Sequence, residues 1–186
     1  MAFIALLDAN AIWSAALRDT LLLAAEHDLY RPAWTRQILA EMARNLKGKR
    51  PDLDPSRVDR TVNRMLEHFP EALVDGYQDL IPAMRNHEGD RHVLAAAVQV
   101  GAAVIVTWNS AHFPAEACAP YEIDIQTPDE FLTNLWHLSP EEMALVLKEQ
   151  AEHLVKPTKT PVQVVETLGR SLPEFATVAL QSGLLG

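Results

Sequence analysis

The stretch that decides the fold is EGDRHVLAAAVQVGAAVIVTWNSAHFP, residues 88–114. Asp90 opens an almost wholly apolar helical segment that runs to Val100 and is stopped by Gly101, the residue type that ends helices in the left-handed conformation. The β-branched run of residues 102–106 follows and reads as a buried strand. It ends not in an ordinary turn but in Thr107-Trp108-Asn109. A carboxylate at the mouth of an apolar helix and small polar groups at the end of a strand both require a partner elsewhere in the chain.

Working outward, the apolar run of residues 3–7 ends at Asp8 and reads as a first strand. Residues 10–27 carry helical spacing, and residues 29–33 form a second candidate strand. Trp34, Ile38, Leu39, Met42 and Leu46 fit one helical arc closed by Gly48. Asp54-Pro55 starts a third helix. Residues 72–74 are a weak strand, 122–125 a last strand, and 128–136 a further helix. Strands alternating with helices predict an α/β fold: a parallel sheet with helices on both faces, three layers in all. In such sheets ligands sit beyond the carboxyl ends of the strands. Asp8 ends the first strand and Thr107 and Asn109 follow the fourth, so these residues are neighbours if the two strands pair.

After Trp136 the character changes. Ser139-Pro140-Glu141-Glu142 is a strong helix start, and Thr160-Pro161 begins another helix ended by Gly169; residues 180–186 trail off. The expected division is a sheet domain over residues 1–136 and a helical extension over 137–186, which serves stability or dimer packing.

One domain with an added subdomain suits 186 residues. The single cysteine, Cys118, excludes an intramolecular disulfide and a cysteine-rich zinc site. The apolar N-terminus lacks a basic flank and is interrupted at Asp8, so it reads as neither signal peptide nor membrane span; a soluble cytoplasmic protein is expected, with no membrane partner. A net charge of −9 argues against a generic nucleic-acid binder. Residues 31–64, however, hold nine Lys/Arg against four acids, a local balance of +5, which leaves −14 for the rest. Such a ridge is either a solvated helical face or a seat for a phosphate backbone beside an acidic pocket.

Asp8 and Asp90 each stand where a helix cap would, and Glu41 stands where a solvated glutamate would. Together they read differently. A doubly wound sheet aims all three at its carboxyl end, and oxygen ligands of this kind suit Mg²⁺ or Mn²⁺. Without a cation, carboxylates held close together raise one another's pKa.

Four stretches carry a resemblance: ALLDANAIWSAALRD, YRPAWTRQILAEMARNL, DRHVLAAAVQVGAAVIVTWNSAHFP and the late TPDEFL. In these the chain resembles the PIN-domain ribonucleases, specifically the VapC-type toxins of bacterial toxin–antitoxin pairs. SPEEMALVLKEQAEHL and LPEFATVAL resemble the helical tail of a subgroup of them. The resemblance implies a sheet of about five parallel strands. It implies that Asp8, Glu41 and Asp90 are metal-binding acids, with Asp8 and Asp90 on the ion. It matches Thr107 and Asn109 to the polar positions ending the fourth strand, and Asn10 to a small polar position supporting the acids. One position departs: where many relatives have an acid before Phe, this chain has His112 before Phe113. His112 reads as a surface residue, with contact to phosphate as the alternative.

The expected activity is metal-dependent hydrolysis of an RNA phosphodiester, with Asp8, Glu41, Asp90 and Asn109 as the catalytic set and Mg²⁺ or Mn²⁺ as cofactor. Arg44, Lys47, Lys49 and Arg50 continue past Glu41 and are expected to hold flanking phosphates. The resemblance also implies an antitoxin protein and a homodimer, with Trp13 and Trp34 available to either surface or to the core. A haloacid-dehalogenase-type phosphotransferase needs a second Asp where Asn10 stands, and a receiver domain needs an acidic pair near the first strand that is not evident. A PIN-like module that binds RNA or protein without cleaving is the remaining alternative, kept open by His112.

Overall fold

The structure is a computed structural model describing residues 2–186. In chain order the elements are β1 (Ile4–Leu7), α1 (Ala9–Ile12), α2 (Ala15–Glu26), β2 (Arg31–Ala33), α3 (Arg36–Lys49), α4 (Pro55–His68), α5 (Arg91–Val100), β3 (Val104–Val106), α6 (Ala115–Cys118), β4 (Asp124–Gln126), α7 (Pro128–Leu138), α8 (Pro140–His153), α9 (Pro161–Leu168) and α10 (Pro173–Gln181). They form two compact units. The first comprises Phe3–Ser14 and Arg31–Gln126, the second Ala15–Tyr30 and Thr127–Gly186. The packing thus parts between Gln126 and Thr127, a helix earlier than the boundary drawn at Trp136, and it places α2 with the C-terminal helices.

The first unit is built on a parallel sheet of order β2-β1-β3-β4. Leu6 and Leu7 of β1 and Ile105 and Val106 of β3 have no exposed surface, which is the near-continuous apolar run that a strand covered on both faces requires. Helix α5 packs on β1 and β3, and α1 and α4 pack against α3. Gly101 ends α5 at φ 65°, a left-handed turn that glycine adopts without steric cost. All strand carboxyl ends lie along one edge. Because β1 and β3 pair in register, with Leu7 beside Val106, Asp8 and Thr107 emerge side by side.

The sheet has four strands where about five were expected. Residues 72–74, the weak strand of the sequence, keep only a single parallel bridge, Leu73 to Trp34, closed by Trp34 N–H to Ala72 O (2.9 Å) and Val74 N–H to Trp34 O (2.8 Å). The next rung toward the strand start would use the N–H of Pro32, which does not exist, and the N–H of Ala72, which instead closes a tight turn on Phe69 O (3.1 Å). In the other direction Arg36 is already helical.

Three local readings change. The helix expected over residues 10–27 breaks at Trp13-Ser14, where the chain passes from one compact unit to the other. Trp34 is not helical; it is fully buried and meets Phe69 edge to face at 5.8 Å. Gly48 lies inside α3 rather than closing it, because Arg50 N–H still reaches Leu46 O.

The second unit is all helical. Helices α2 and α8 are joined by a buried pair, Thr20 Oγ1 donating to Gln150 Oε1 (2.8 Å), while Gln150 Nε2 donates to Ala16 O (2.9 Å). His27 lies between Glu142 (3.2 Å) and Glu149 (2.9 Å). Asp129 of α7 accepts the backbone N–H groups of Glu174 and Phe175, satisfying two donors at the start of α10. Helix α10 falls on the stretch LPEFATVAL, which resembles part of a helical tail. No helix among the described residues is long and apolar enough to cross a membrane.

Two stability measurements follow. A Cβ at Gly169 would lie 2.9 Å from Ala176 Cβ, so Gly169→Ala should cost about 1–3 kcal/mol despite alanine's better helix propensity, seen as a lower melting temperature. The bond to Glu149, opposed by burial and assisted by Glu142, holds His27 above its ordinary 6.5. Its contribution is therefore fully present below pH 6.5 and is lost as pH rises through the folded value. His27→Ala should lower the melting temperature more at pH 6 than at pH 9.

Candidate active site

Asp8 is placed by the sheet and fixed by hydrogen bonds. Its own N–H continues the ladder to Val106 O (3.1 Å). Its Oδ1 accepts Ala9 N–H (2.7 Å) and so caps α1. Its Oδ2 accepts Thr107 Oγ1–H (2.8 Å) and Asn10 Nδ2–H (2.8 Å). Asn10 turns its other face to Trp108 N–H, accepting at 2.9 Å through Oδ1. Thr107 Oγ1 in turn accepts the N–H of Asn109 (3.0 Å). One buried carboxylate, one amide and one hydroxyl thus tie the end of β1 to the residues after β3. This answers why the strand ends in small polar groups: they are the partners of Asp8. The Asn109 side chain itself is exposed.

The charges around Asp8 work against it. Burial pushes its carboxyl above the ordinary 3.8; the hydrogen bonds from Thr107 and Ala9 oppose that shift, and the charges of Asp90 and Glu41 add to it. Glu41, on α3, is held the other way. Burial pushes it up, but His92, Gln37 and Arg44 outweigh burial and leave its carboxyl below the ordinary 4.5. His92 Nε2 stands 3.3 Å from Glu41 Oε1, at ion-pair distance though without hydrogen-bond alignment. Gln37 Nε2 donates to the same oxygen at 3.2 Å, and Arg44 lies 3.9 Å from it.

Asp90 stands at the N-terminus of α5 but its side chain caps nothing. It faces His112, whose Nδ1 lies 2.5 Å from Oδ2, and His87, whose Nδ1 lies 3.8 Å from the same oxygen. The His87 and His112 rings stack at 4.2 Å and 16°. His112 is therefore not the plain surface residue expected of it; it is the direct partner of Asp90. Among the described residues, the group of three metal-ligating side chains that converges is His87, Asp90 and His112, each offering one ligand atom within 4.8 Å of the others. Asp8, Glu41 and Asp90 act on one another through charge without closing into so tight a set.

The four expected phosphate-binding cations follow one another at the end of α3, and each has company. Lys47 pairs with Asp59 (2.8 Å), and Arg50 grips Asp52 through two bonds (2.9 and 2.7 Å). Lys49 lies 4.2 Å over the Trp13 ring, which accounts for that tryptophan. Arg44 leans toward Glu41 and is 70% exposed along its side chain. Exposed pairs of this kind are weak. A groove of about 500 Å³ between α3 and α4 has an apolar floor of Leu39, Ala43, Val62 and Leu66, and Arg36, Arg44 and Lys47 line it.

Sequence reasoning missed His87 and His92. Both flank Asp90 in NHEGDRH, and the clustering of histidines about one acid was the available signal.

With the geometry in hand, the comparisons are specific. The PIN domain profile matches residues 5–111, and the profile described as the VapC50 C-terminal domain matches residues 128–181. The chain is 44% identical over 108 residues to a Mycobacterium tuberculosis (strain ATCC 25618 / H37Rv) protein named "Putative ribonuclease VapC50". That alignment covers 58% of this chain and 64% of the relative, so the chain spans a little under two thirds of the relative's length. No solved structure matches the chain. The second profile begins at the residue where α7 begins, just after the compact units part. An α/β parallel sheet that brings Asp8 and Thr107 together under a PIN profile covering more than half of the residues leads to one assignment: the chain belongs to the PIN-domain family, and the segment after it matches the VapC50 C-terminal domain profile.

Proposed function

We propose that this chain is an endoribonuclease that hydrolyses RNA phosphodiester bonds with Mg²⁺ or Mn²⁺, and that it acts as the toxin of a toxin–antitoxin pair. The observation that carries the reading is the state of Asp8. A carboxylate with 3% exposure is hydrogen-bonded on both oxygens, yet burial and two neighbouring acids still push its pKa up. The hydrogen bonds seat the carboxylate but do not neutralise its charge. A divalent cation offsets it, and the oxygen-rich donor set of Asp8, Asp90 and Glu41 fits a hard ion. Asp8 and Asp90 are the residues that would hold it. When bound, the ion lowers the pKa of a water and stabilises the charge that develops on the phosphate oxygens.

The protein's own groups do the rest. Thr107 and Asn10 fix the Asp8 carboxylate so that its orientation is set before substrate arrives. Glu41, kept ionised by its neighbours, adds negative charge that favours cation binding and can accept a proton at Oε2, the oxygen that Gln37 leaves open. Asn109, exposed beside Thr107, is placed to orient water or a phosphate oxygen. Arg44, Lys47, Lys49 and Arg50 exchange their weak partners for flanking phosphates. The antitoxin partner, the homodimer and a cytoplasmic location belong to this reading of a VapC-type chain.

The test is cleavage of a structured-RNA pool by purified protein with Mg²⁺, with Mn²⁺ and with EDTA. Cutting should require the metal, and Asp8→Asn should lose at least about a hundredfold while melting cooperatively. Retained cleavage by the pure variant rejects the assignment. Absence of cutting in every arm, with RNA still bound, favours a binding module instead. Thermal melts give a readout free of activity: Mg²⁺ at about 100 times its Kd should stabilise the wild type by about 2.7 kcal/mol and leave Asp8→Asn unmoved. Arg44→Ala and Lys47→Ala should each weaken RNA binding without changing where the RNA is cut. Each should also flatten the slope of log affinity against log salt by about 0.7 to 1, the share of one neutralised phosphate.

A further inference from the structure

Asp90 is shared between two chemistries. On one side its charge acts on the carboxylate of Asp8. Toward His87 and His112 its surroundings are nitrogen. The two histidines come from different segments, yet they are locked together by a backbone bond, His87 N–H to His112 O at 2.9 Å, and their rings stack nearly parallel. Both rings turn Nδ1 toward one carboxylate oxygen. Exposure grades outward, 18% at Asp90, 38% at His112 and 57% at His87, so the group is open to water on one side and anchored on the other.

We propose that His87, Asp90 and His112 form a cation site of two nitrogens and one carboxylate that takes a divalent first-row transition ion in preference to Mg²⁺. The three ligand atoms lie within 4.8 Å of one another. Donors about 2.0–2.2 Å from a shared ion stand roughly 3.0–3.6 Å apart, so His87 must close on Asp90 from 3.8 Å while His112, at 2.5 Å, draws back as the ion replaces its hydrogen bond. His87 Nδ1 accepts the Gly89 N–H at 3.2 Å and gives up that bond to take the ion, while the backbone bond spares the chain the cost of bringing the two segments together. Imidazole is a ligand for Zn²⁺, Co²⁺, Ni²⁺ and Mn²⁺, whereas Mg²⁺ demands oxygen in near-ideal octahedral array and gives up its waters reluctantly. Water fills the remaining positions on the exposed side. His112 and His87 thus offer borderline nitrogen donors beside the one hard oxygen donor of Asp90. The site shares Asp90 with the cation site proposed above, but its binding is measured where no RNA is cut.

The experiment uses the full chain and Co²⁺ as probe. Visible absorption of bound Co²⁺ and calorimetry are followed in the presence of about a hundredfold excess of Mg²⁺, a margin that softer nitrogen ligands should sustain. One Co²⁺ should bind, and in the wild-type protein it should shift the ring protons of two histidines by its paramagnetism. His87→Ala and His112→Gln should each weaken binding at least about tenfold, the latter still able to hydrogen-bond Asp90. Asp8→Asn should keep Co²⁺ binding while losing the Mg²⁺ stabilisation, which separates this site from the catalytic reading. Co²⁺ affinity within about twofold of wild type in both histidine variants, displacement by Mg²⁺, or absence of histidine shifts in the wild type overturns the proposal.

Discussion

The structure of the first unit depends on how a buried carboxylate is accommodated. Asp8 sits where two central strands end, and a charge there is costly unless its oxygens are bonded. Three donors meet that need: the N–H of Ala9, the hydroxyl of Thr107 and the amide of Asn10. They are drawn from the start of α1 and from the residue after β3. The same bonds that make Asp8 tolerable fix the relative ends of β1 and β3 and set the direction in which the chain leaves each strand. An apolar residue there would remove the charge but leave the N–H of Ala9, the hydroxyl of Thr107 and the amide of Asn10 without their acceptor. What the arrangement retains is an oriented carboxylate at an open edge of the sheet, still uncomfortable in its charged form.

That discomfort is distributed unevenly. Asp8 is pushed up by burial, by Asp90 and by Glu41, whereas Glu41 is kept ionised by His92, Gln37 and Arg44. Two acids facing one region are thus held in different environments, one short of positive charge and one supplied with it. The cations beyond Glu41 on α3 are engaged with Asp59, Asp52 and the Trp13 ring, so the local excess of +5 read from residues 31–64 is not a bare positive surface. It is a set of weak, exchangeable pairs. Surface pairs of this kind are screened by salt and hold their partners loosely.

Much of this was legible in the sequence because the signals were local. Asp8 after an apolar run, Gly101 after an apolar helix, Asp54-Pro55 and Thr160-Pro161 each act within a few residues, and each lies where its chemistry predicts. The failures were non-local. Residues 72–74 carry strand character, but whether a fifth strand forms was decided by Pro32, forty residues away, which faces them without an N–H. The helical spacing of residues 10–27 is real on both sides of Ser14; what the pattern could not show is that the two halves pack in different units. Trp34 fits the α3 arc in spacing, yet its backbone is held by Leu73 and its ring by Phe69, both far along the chain. The boundary at 126/127 escaped because α7 looks like the last helix of an α/β unit, and only its partners, α8 and α10, show otherwise.

The histidines teach the same lesson at the site. Single histidines in a sequence are ordinary, and one in place of an expected acid reads as loss. In three dimensions the replacement has a consequence that no window of sequence displays, because His112 meets Asp90 and His87 only after β3 has paired with β1 and α5 has packed across both. The position before Phe113 carries a nitrogen that bonds Asp90, where an acid would add negative charge beside it. An acid there would raise the repulsion already felt at Asp8, whereas imidazole does not. Imidazole at this position therefore spares the acid cluster a further repulsion, and it does so with a donor atom unlike those of the carboxylates around it.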